Sequence, residues 1–209
     1  MRVIPFIYED IDDLFANAYL LIDNNDCVVI DPGRDYRGIV DYINKNQLKL
    51  KAILLTHGHY DHMRGVNILL KEFSCPLYIG FFDEDQLTDT YKNLSTFFSS
   101  EKVVISQKAI TVSDNEVLSL LSEPIKVIET PFHTKGSVCY YLKDSGYLFS
   151  GDTLFKGSIG RDDLPDAVPS KKRTSLAKLM LLPDNTKVFP GHGNSTTIGE
   201  EKKYNPFVK

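Results

Sequence analysis

The chain has 209 residues and a formal net charge of −4, enough length for a substantial core, and we expect one domain over residues 1–209. This mild acidity argues against a broad basic face, so no nucleic-acid partner is expected. No apolar run approaches the roughly 20 residues of a membrane span, so no membrane contact is expected; the early acids of "MRVIPFIYEDIDD" do not suit a signal peptide, and a cytoplasmic location follows as an expectation.

In chain order, "VIPFIY", "ANAYLLID" and "CVVIDPG" are short apolar runs between turn residues, and they predict a meander of strands. "DYRGIVDYINKNQ" carries Tyr36, Ile39, Val40 and Ile43 at helical spacing. "LKLKAILLTH" predicts a strand ending at His57, "MRGVNILLKEF" a helix, "PLYIG" a strand and "DEDQLTDTYKNLSTFFSS" a helix with an irregular end. A second series follows in "KVVISQ", "TVSDNEVLSLL", "IKVIETP" and "SVCYYLKDSGYLFSGD", with "KDSG" as a turn between two strands. "PSKKRTSLAKLMLL" predicts the last helix and "TKVFPGHG" the last strand; the tail beyond reads as polar, with Phe207 pinning its end. Two strand-rich halves with outer helices predict helix, sheet, sheet and helix layers around one core. Cys27, Cys75 and Cys139 are far apart, without a C-x-x-C pair, and read as structural thiols.

The chemistry collects in "THGHYDH", which holds His57, His59, Asp61 and His62. Imidazole and carboxylate are the usual ligands of zinc and similar ions. In an extended segment His57 and His59 point the same way, and a turn at Tyr60 brings Asp61 and His62 round a second face. His133 follows "IKVIETP", Asp152 follows "YLFSG", His192 follows "KVFPG" and Asp31 follows "CVVI". Each therefore leaves the end of a predicted strand beside Gly or Pro, as residues converging on one site do. All five histidines belong to this set, so ordinary surface duty does not explain them. Five imidazoles and two or more carboxylates exceed one tetrahedral zinc and suit two ions sharing a carboxylate. The most economical partition gives His57, His59 and His133 to one ion. Asp61, His62 and His192 take the other, and Asp152 bridges. Asp31 either sets the tautomer of a ligand histidine or is a turn residue closed by "PG". Zinc is the expected metal, with iron and manganese sharing the same ligand types.

"THGHYDH", followed by His133, "GD" at Asp152 and "GHG" at His192, closely resembles the metallo-beta-lactamase fold hydrolases. "GDTLFKGSIGRDDLP" and "GHGNSTTIGEEKKYNPF" look like the glyoxalase II-like (hydroxyacylglutathione hydrolase-like) branch, particularly its single-domain bacterial members. The resemblance spans essentially the whole chain and implies an α/β (α+β) fold, a four-layer αββα sandwich with two metals at one edge. Its metal pattern matches the partition above residue by residue. The chain departs from true lactamases at Asp152, where they usually carry Cys or Ser, and from full-length glyoxalase II, whose helical C-terminal domain helps hold glutathione. The resemblance places Arg161 and Tyr140 at substrate contacts. It also puts Asp163 where the full-length enzymes carry an aromatic residue, which does not favour an anionic tripeptide.

Two cations lower the pKa of a shared water towards neutrality, and the ion of His57, His59 and His133 stabilises the oxyanion as an acyl carbonyl is attacked. Asp61 can both ligate and orient the nucleophile, so His57, His59, Asp61 and His133 are the expected catalytic set. With every histidine committed, no general acid is apparent. A thiolate, from a thiol of pKa about 8.5, leaves without one, so the expected small-molecule substrate is a thioester such as S-lactoylglutathione or another hydroxyacyl thioester. The competing readings are an iron-dependent persulfide dioxygenase, for which "GSIGRDD" speaks, and a phosphodiesterase or ribonuclease of the same fold. A purely structural role for the metals is a further alternative. Lys171, Lys172, Arg173 and Lys178 read as the solvated half of a helix or as a rim attracting an anionic substrate.

Overall fold

The computed structural model describes residues 1–7, 16–33 and 36–208. Tyr8, at the end of the first strand reading, Asp35, at the head of the first helix reading, and Lys209 lie outside the described residues. The chain forms β1 (Arg2–Phe6), β2 (Ala18–Asp23), β3 (Asp26–Ile30), α1 (Tyr36–Lys45), β4 (Lys49–Leu54), α2 (Tyr60–Met63), α3 (Val66–Glu72) and β5 (Leu77–Gly80). A 3₁₀ segment, Phe81–Leu87, leads to α4 (Ser95–Phe98) and β6 (Ile110–Val112). The second half adds β7 (Val117–Leu118), β8 (Ile125–Glu129), β9 (Val138–Leu142), β10 (Tyr147–Gly151), α5 (Lys172–Met180), β11 (Lys187–Pro190), β12 (Thr196–Thr197) and α6 (Ile198–Tyr204).

Among the described residues these strands make two six-stranded sheets, ordered β1-β2-β3-β4-β5-β6 and β12-β11-β10-β9-β8-β7. Strand side chains alternate between faces, and here both faces of each sheet are buried, so the strands read as near-continuous apolar runs. In β2, Ala18, Leu20 and Ile22 pack with Ile39 and Ile43 of α1 and Val66 and Leu69 of α3. Tyr19 and Leu21 turn inward to Val127, Tyr140 and Phe149 of the second sheet. The outer face of that sheet carries Cys139 and Leu148 against Leu176 and Leu179 of α5 and Ile198 of α6. The layers are helix, sheet, sheet, helix. Burying each such aliphatic side chain contributes about 1.5–3 kcal/mol, against roughly 0–1 for a surface ion pair, so these three clusters hold the fold. Cys27, Cys75 and Cys139 are free and buried within them, and loss of water pushes the Cys75 and Cys139 thiols up to about 11.

Three local expectations need correction. Residues 83–100 do not form one helix, because the buried Asn93 competes for the backbone. Its amide donates to Gln86 O and Val103 O, both 2.9 Å, while its carbonyl oxygen accepts from Ser95 N, 3.0 Å. "KVVISQ" is no strand: Asn67 Nδ2 reaches Val104 O at 2.8 Å, and Ile105 N donates to Leu87 O, so loop and side-chain partners replace a ladder. The tail holds β12 and α6, with the Thr197 hydroxyl accepting from Glu200 N as an N-cap. Phe207 is half exposed, and it is Val208 that packs on the third cluster.

Strand direction places the site. β3 and β4 run parallel, so their C-terminal ends share one edge of the first sheet. β8 and β10 are both antiparallel to β9, and β10 is parallel to β11, so these three also end together. The two edges are joined there by Val138 N donating to Thr56 O, 2.8 Å, and Asn17 N to Gly191 O, 2.6 Å.

Candidate metal centre

Five strand ends deliver the polar residues to this edge. Asp31 follows β3, His57 and His59 follow β4, His133 follows β8, Asp152 follows β10 and His192 follows β11. His59 is the extended N-cap of α2 (φ −72°, ψ 144°), so Asp61 and His62 sit in the first helical turn, about 100° apart. Gly151 permits the turn into Asp152: its φ is +49°, and a Cβ there would stand 2.3 Å from Thr56 Oγ1. Gly191 likewise allows a close approach, since a Cβ would stand 2.1 Å from Asp152 Oδ1 and 2.8 Å from His62 Cε1.

Three trios among the described residues have ligand atoms close enough to share an ion: His57, His59 and His133; His57, His62 and Asp152; Asp61, His62 and His192. His59 Nδ1 and His133 Nε2 are 3.0 Å apart, and His62 Nε2 is 3.3 Å from Asp152 Oδ1. His192 Nε2 is 3.3 Å from Asp61 Oδ2. Asp152 Oδ2 lies between the groups, 3.4 Å from His133 Nε2 and 3.5 Å from His192 Nε2. Ligands at about 2.0–2.1 Å in a tetrahedron stand about 3.3–3.4 Å from one another, so these separations are those of ligand shells. Nε2 of His57 and His62 and Oδ1 of Asp152 are buried without a hydrogen-bond partner. Buried polar atoms are rarely left so unless something else satisfies them. The residues therefore fit a binuclear metal-binding site.

The groups around the cluster set which ring nitrogens face it. His62 Nδ1 meets Asp31 Oδ2 at 3.0 Å, His57 Nδ1 meets Thr56 Oγ1 at 3.2 Å, and His133 Nδ1 donates to Arg161 O at 2.8 Å. In each, the outer nitrogen is occupied and Nε2 is left for the centre. Electrostatics follow burial and charge. Burial and the neighbouring imidazoles hold His57 well below the usual histidine range, and burial together with His133 brings His59 to about 3. Burial opposes charge on His62 as well, but Asp61, Asp152 and Asp31 outweigh it and raise this imidazole well above its usual range. Asp152 is likewise buried, yet His192 and His62 hold its carboxyl well below the ordinary value.

Three positioning residues gave no sign in the sequence. The Tyr19 hydroxyl donates to Pro190 O at 2.6 Å and Asn17 Nδ2 to Gly193 O at 2.8 Å, which fixes the His192 loop. Buried Asp83 accepts from Gly58 N at 3.1 Å, Gly136 N at 2.7 Å and the Thr134 hydroxyl at 2.7 Å, tying the His57–His59 loop to the His133 loop. Nothing in "FFDED" marks Asp83 over its acidic neighbours, because the distinction is burial. Tyr140 is corrected as a substrate contact. Its ring is wholly buried between the sheets and its hydroxyl donates to Leu55 O at 2.9 Å, away from the cavity. Arg161 does border the cavity, but its guanidinium is tied to Asp163 by bonds of 2.9 and 3.1 Å. Of the basic residues on α5, Lys178 pairs with Asp114 and Lys172 with Asp162.

A cavity of about 210 Å³ opens onto His59, Asp61, His133, Asp152 and His192, walled by Leu94, Phe98, Phe155, Ile159 and Leu164. A larger hollow of about 400 Å³ beside Tyr36, Asn67 and Glu101 borders none of these ligands, so size alone does not locate the chemistry. No helix among the described residues is long and apolar enough to cross a membrane.

Residues 11–192 match the family model of the metallo-beta-lactamase superfamily. The protein ML0493 of Mycobacterium leprae (strain TN) is 39% identical over 210 residues, covering 94% of each chain. The hydroxyacylglutathione hydrolase GloC of Haemophilus influenzae is 31% identical over 192 residues, 89% of each. Of solved structures, BLEG-1 B3 metallo-beta-lactamase superposes with a TM-score of 0.88 at 36% identity, covering 93% of this chain and 94% of that one. TTHA1623 in a di-iron-bound form gives 0.79 at 34%, covering 92% and 94%.

Proposed function

The chain belongs to the metallo-beta-lactamase superfamily, and on that premise we propose that it hydrolyses a thioester to an acid and a thiol, as a glyoxalase II-like enzyme does. His57, His59 and His133 would hold one ion and Asp61, His62 and His192 the other, with Asp152 placed to serve both. When bound, two divalent ions supply an activated water and an electrophile for a carbonyl oxygen. The rest falls to the chain. Asp31, Thr56 and the Arg161 carbonyl hold His62, His57 and His133 in the tautomer that turns Nε2 inward. Asp61 accepts a hydrogen bond from the attacking water and aims it. The apolar cavity walls thin the water around the reacting carbonyl.

The observation that carries the reading is that, among the described residues, no uncommitted acid lines the cavity. Apart from the cluster, its ionisable side chains are Tyr60 and Arg161; the Tyr60 hydroxyl donates to Phe98 O at 3.2 Å and Arg161 is paired with Asp163. An amine or alkoxide leaving group needs a proton from such a donor, whereas a thiolate departs without one. The likeness to GloC of Haemophilus influenzae supports the same class of substrate. Zinc is the proposed metal; the di-iron form of TTHA1623 makes iron the competitor. Likeness to BLEG-1 favours one second reading, opening of a β-lactam ring.

The test is a metal-replete protein, its metal content measured, assayed against thioesters including S-lactoylglutathione, with a β-lactam and a phosphodiester in parallel. Thioester hydrolysis that is lost on chelation and restored by two equivalents of metal is expected. Inactivity on every thioester would sink the proposal, and oxygen uptake with a persulfide would replace it.

A further inference from the structure

Leu94, Phe98, Phe155, Ile159 and Leu164 line the cavity beside the metal cluster, and the Phe155 ring stands 5.9 Å from that of His192. The apolar surface does not stop at the mouth. Phe98 is 52% exposed and its ring stands 6.4 Å from that of Phe97, which stands 5.8 Å from Tyr91; these last two are 59% and 62% exposed. Three adjoining exposed aromatic rings leading into a catalytic cavity are unlike the scattered apolar residues of an ordinary surface. Among the described residues no other charged side chain joins Arg161 on the cavity wall outside the cluster, and Arg161 is held by Asp163.

Resting on the thioester reading above, we propose that the substrate's acyl group is apolar and extended. It lodges between Phe98 and Phe155 and continues along Phe97 and Tyr91, while the polar thiol carrier points past Arg161 into solvent. The direction follows from desolvation. A carrier rich in amides and carboxylates would leave those groups unpaired against Leu94, Phe98, Phe155, Ile159 and Leu164, whereas an alkyl or aryl chain loses nothing there.

The experiment is a series of acyl thioesters of one small thiol, N-acetylcysteamine, from acetyl through butanoyl and hexanoyl to octanoyl, with lactoyl alongside. With the zinc-loaded chain, kcat/KM is expected to rise about twofold to fourfold per added methylene up to hexanoyl or octanoyl. Phe98→Ala and Leu94→Ala should each lower the hexanoyl-to-acetyl ratio at least about fivefold. Hydrolysis that is flat with chain length, or fastest for lactoyl, overturns the apolar subsite and leaves the thioester reading standing. If no thioester is cleaved, the reaction assignment fails, and binding of non-hydrolysable S-alkyl thioethers by calorimetry decides the subsite separately. Affinity rising from ethyl to hexyl and falling in Phe98→Ala supports it; equal affinities overturn it.

Discussion

Asp31 orients two rings from one carboxylate. Its Oδ1 accepts from Thr56 N at 2.8 Å, and its Oδ2 accepts from the Thr56 hydroxyl at 2.6 Å and meets His62 Nδ1 at 3.0 Å. With its proton given to Asp31, Thr56 Oγ1 is left to accept from His57 Nδ1, so the second ring is set through the first contact. The backbone bends to allow this: Asp31 sits at φ 48°, a left-handed conformation that Asp tolerates better than most residues. Asp31→Asn replaces an acceptor with a donor in this group, and metal affinity is expected to fall about 10–100-fold with the far-UV spectrum unchanged. Competition with a chelator measures it, and wild-type affinity would show that the tautomers are set elsewhere. Tyr140→Phe should act only on stability. It removes the bond to Leu55 O and is expected to cost about 0.5–1.5 kcal/mol in denaturant unfolding while kcat/KM holds. A selective rise in KM would return Tyr140 to the substrate. The histidines were legible because strand ends near Gly or Pro carry four of them and His62 follows in the helical turn directly after His59. Asp83 and Tyr19 were not, because their partners are backbone groups brought near only by folding.

At the scale of elements, the loop after β10 is held by α6. Buried Glu201 accepts from Gly157 N at 2.8 Å, the Thr196 hydroxyl at 2.6 Å and Asn205 Nδ2 at 2.7 Å. That loop carries Phe155 and Ile159 to the cavity wall. Glu201→Ala strands these donors and is expected to cost about 2–3 kcal/mol. At about 2–4 °C per kcal/mol for a chain of this size, the melting temperature should fall roughly 4–12 °C. An unchanged melting temperature would mean that water replaces the carboxylate at no cost. The element-level errors share a cause. Residues 83–100 have a helix-like apolar pattern, but Asn93 and the Asp89 side chain, which accepts from Tyr91 N at 2.9 Å, offer the backbone local partners instead.

For the whole molecule, the site lies at the joined edge of two sheets whose cores do not depend on the metals. The inter-sheet cluster of Val28, Leu54, Val127, Tyr140 and Phe149 is built from apolar side chains alone apart from tyrosine hydroxyls. Chelation should therefore leave the protein folded but less stable. A site filled at about 1,000 times its Kd contributes about 4 kcal/mol, so removal of one ion should lower the melting temperature roughly 8–16 °C. Calorimetry before and after chelation, with metal content on each sample, measures it. Complete unfolding on chelation would instead favour metals that hold the fold.

By itself the sequence determined the layer order and picked out the histidines and aspartates that the fold gathers into metal-binding trios. Burial patterns repeat locally along strands and helices, and imidazoles at strand ends declare themselves without a partner. The tertiary structure alone decided what holds those ligands and what faces them. Whether Tyr140 reaches a substrate, whether Arg161 is available to an anion and which of several acidic residues is Asp83's equal are questions of distance between segments far apart in the chain. Those distances are set by how the two sheets meet, and no local pattern of residue types encodes them.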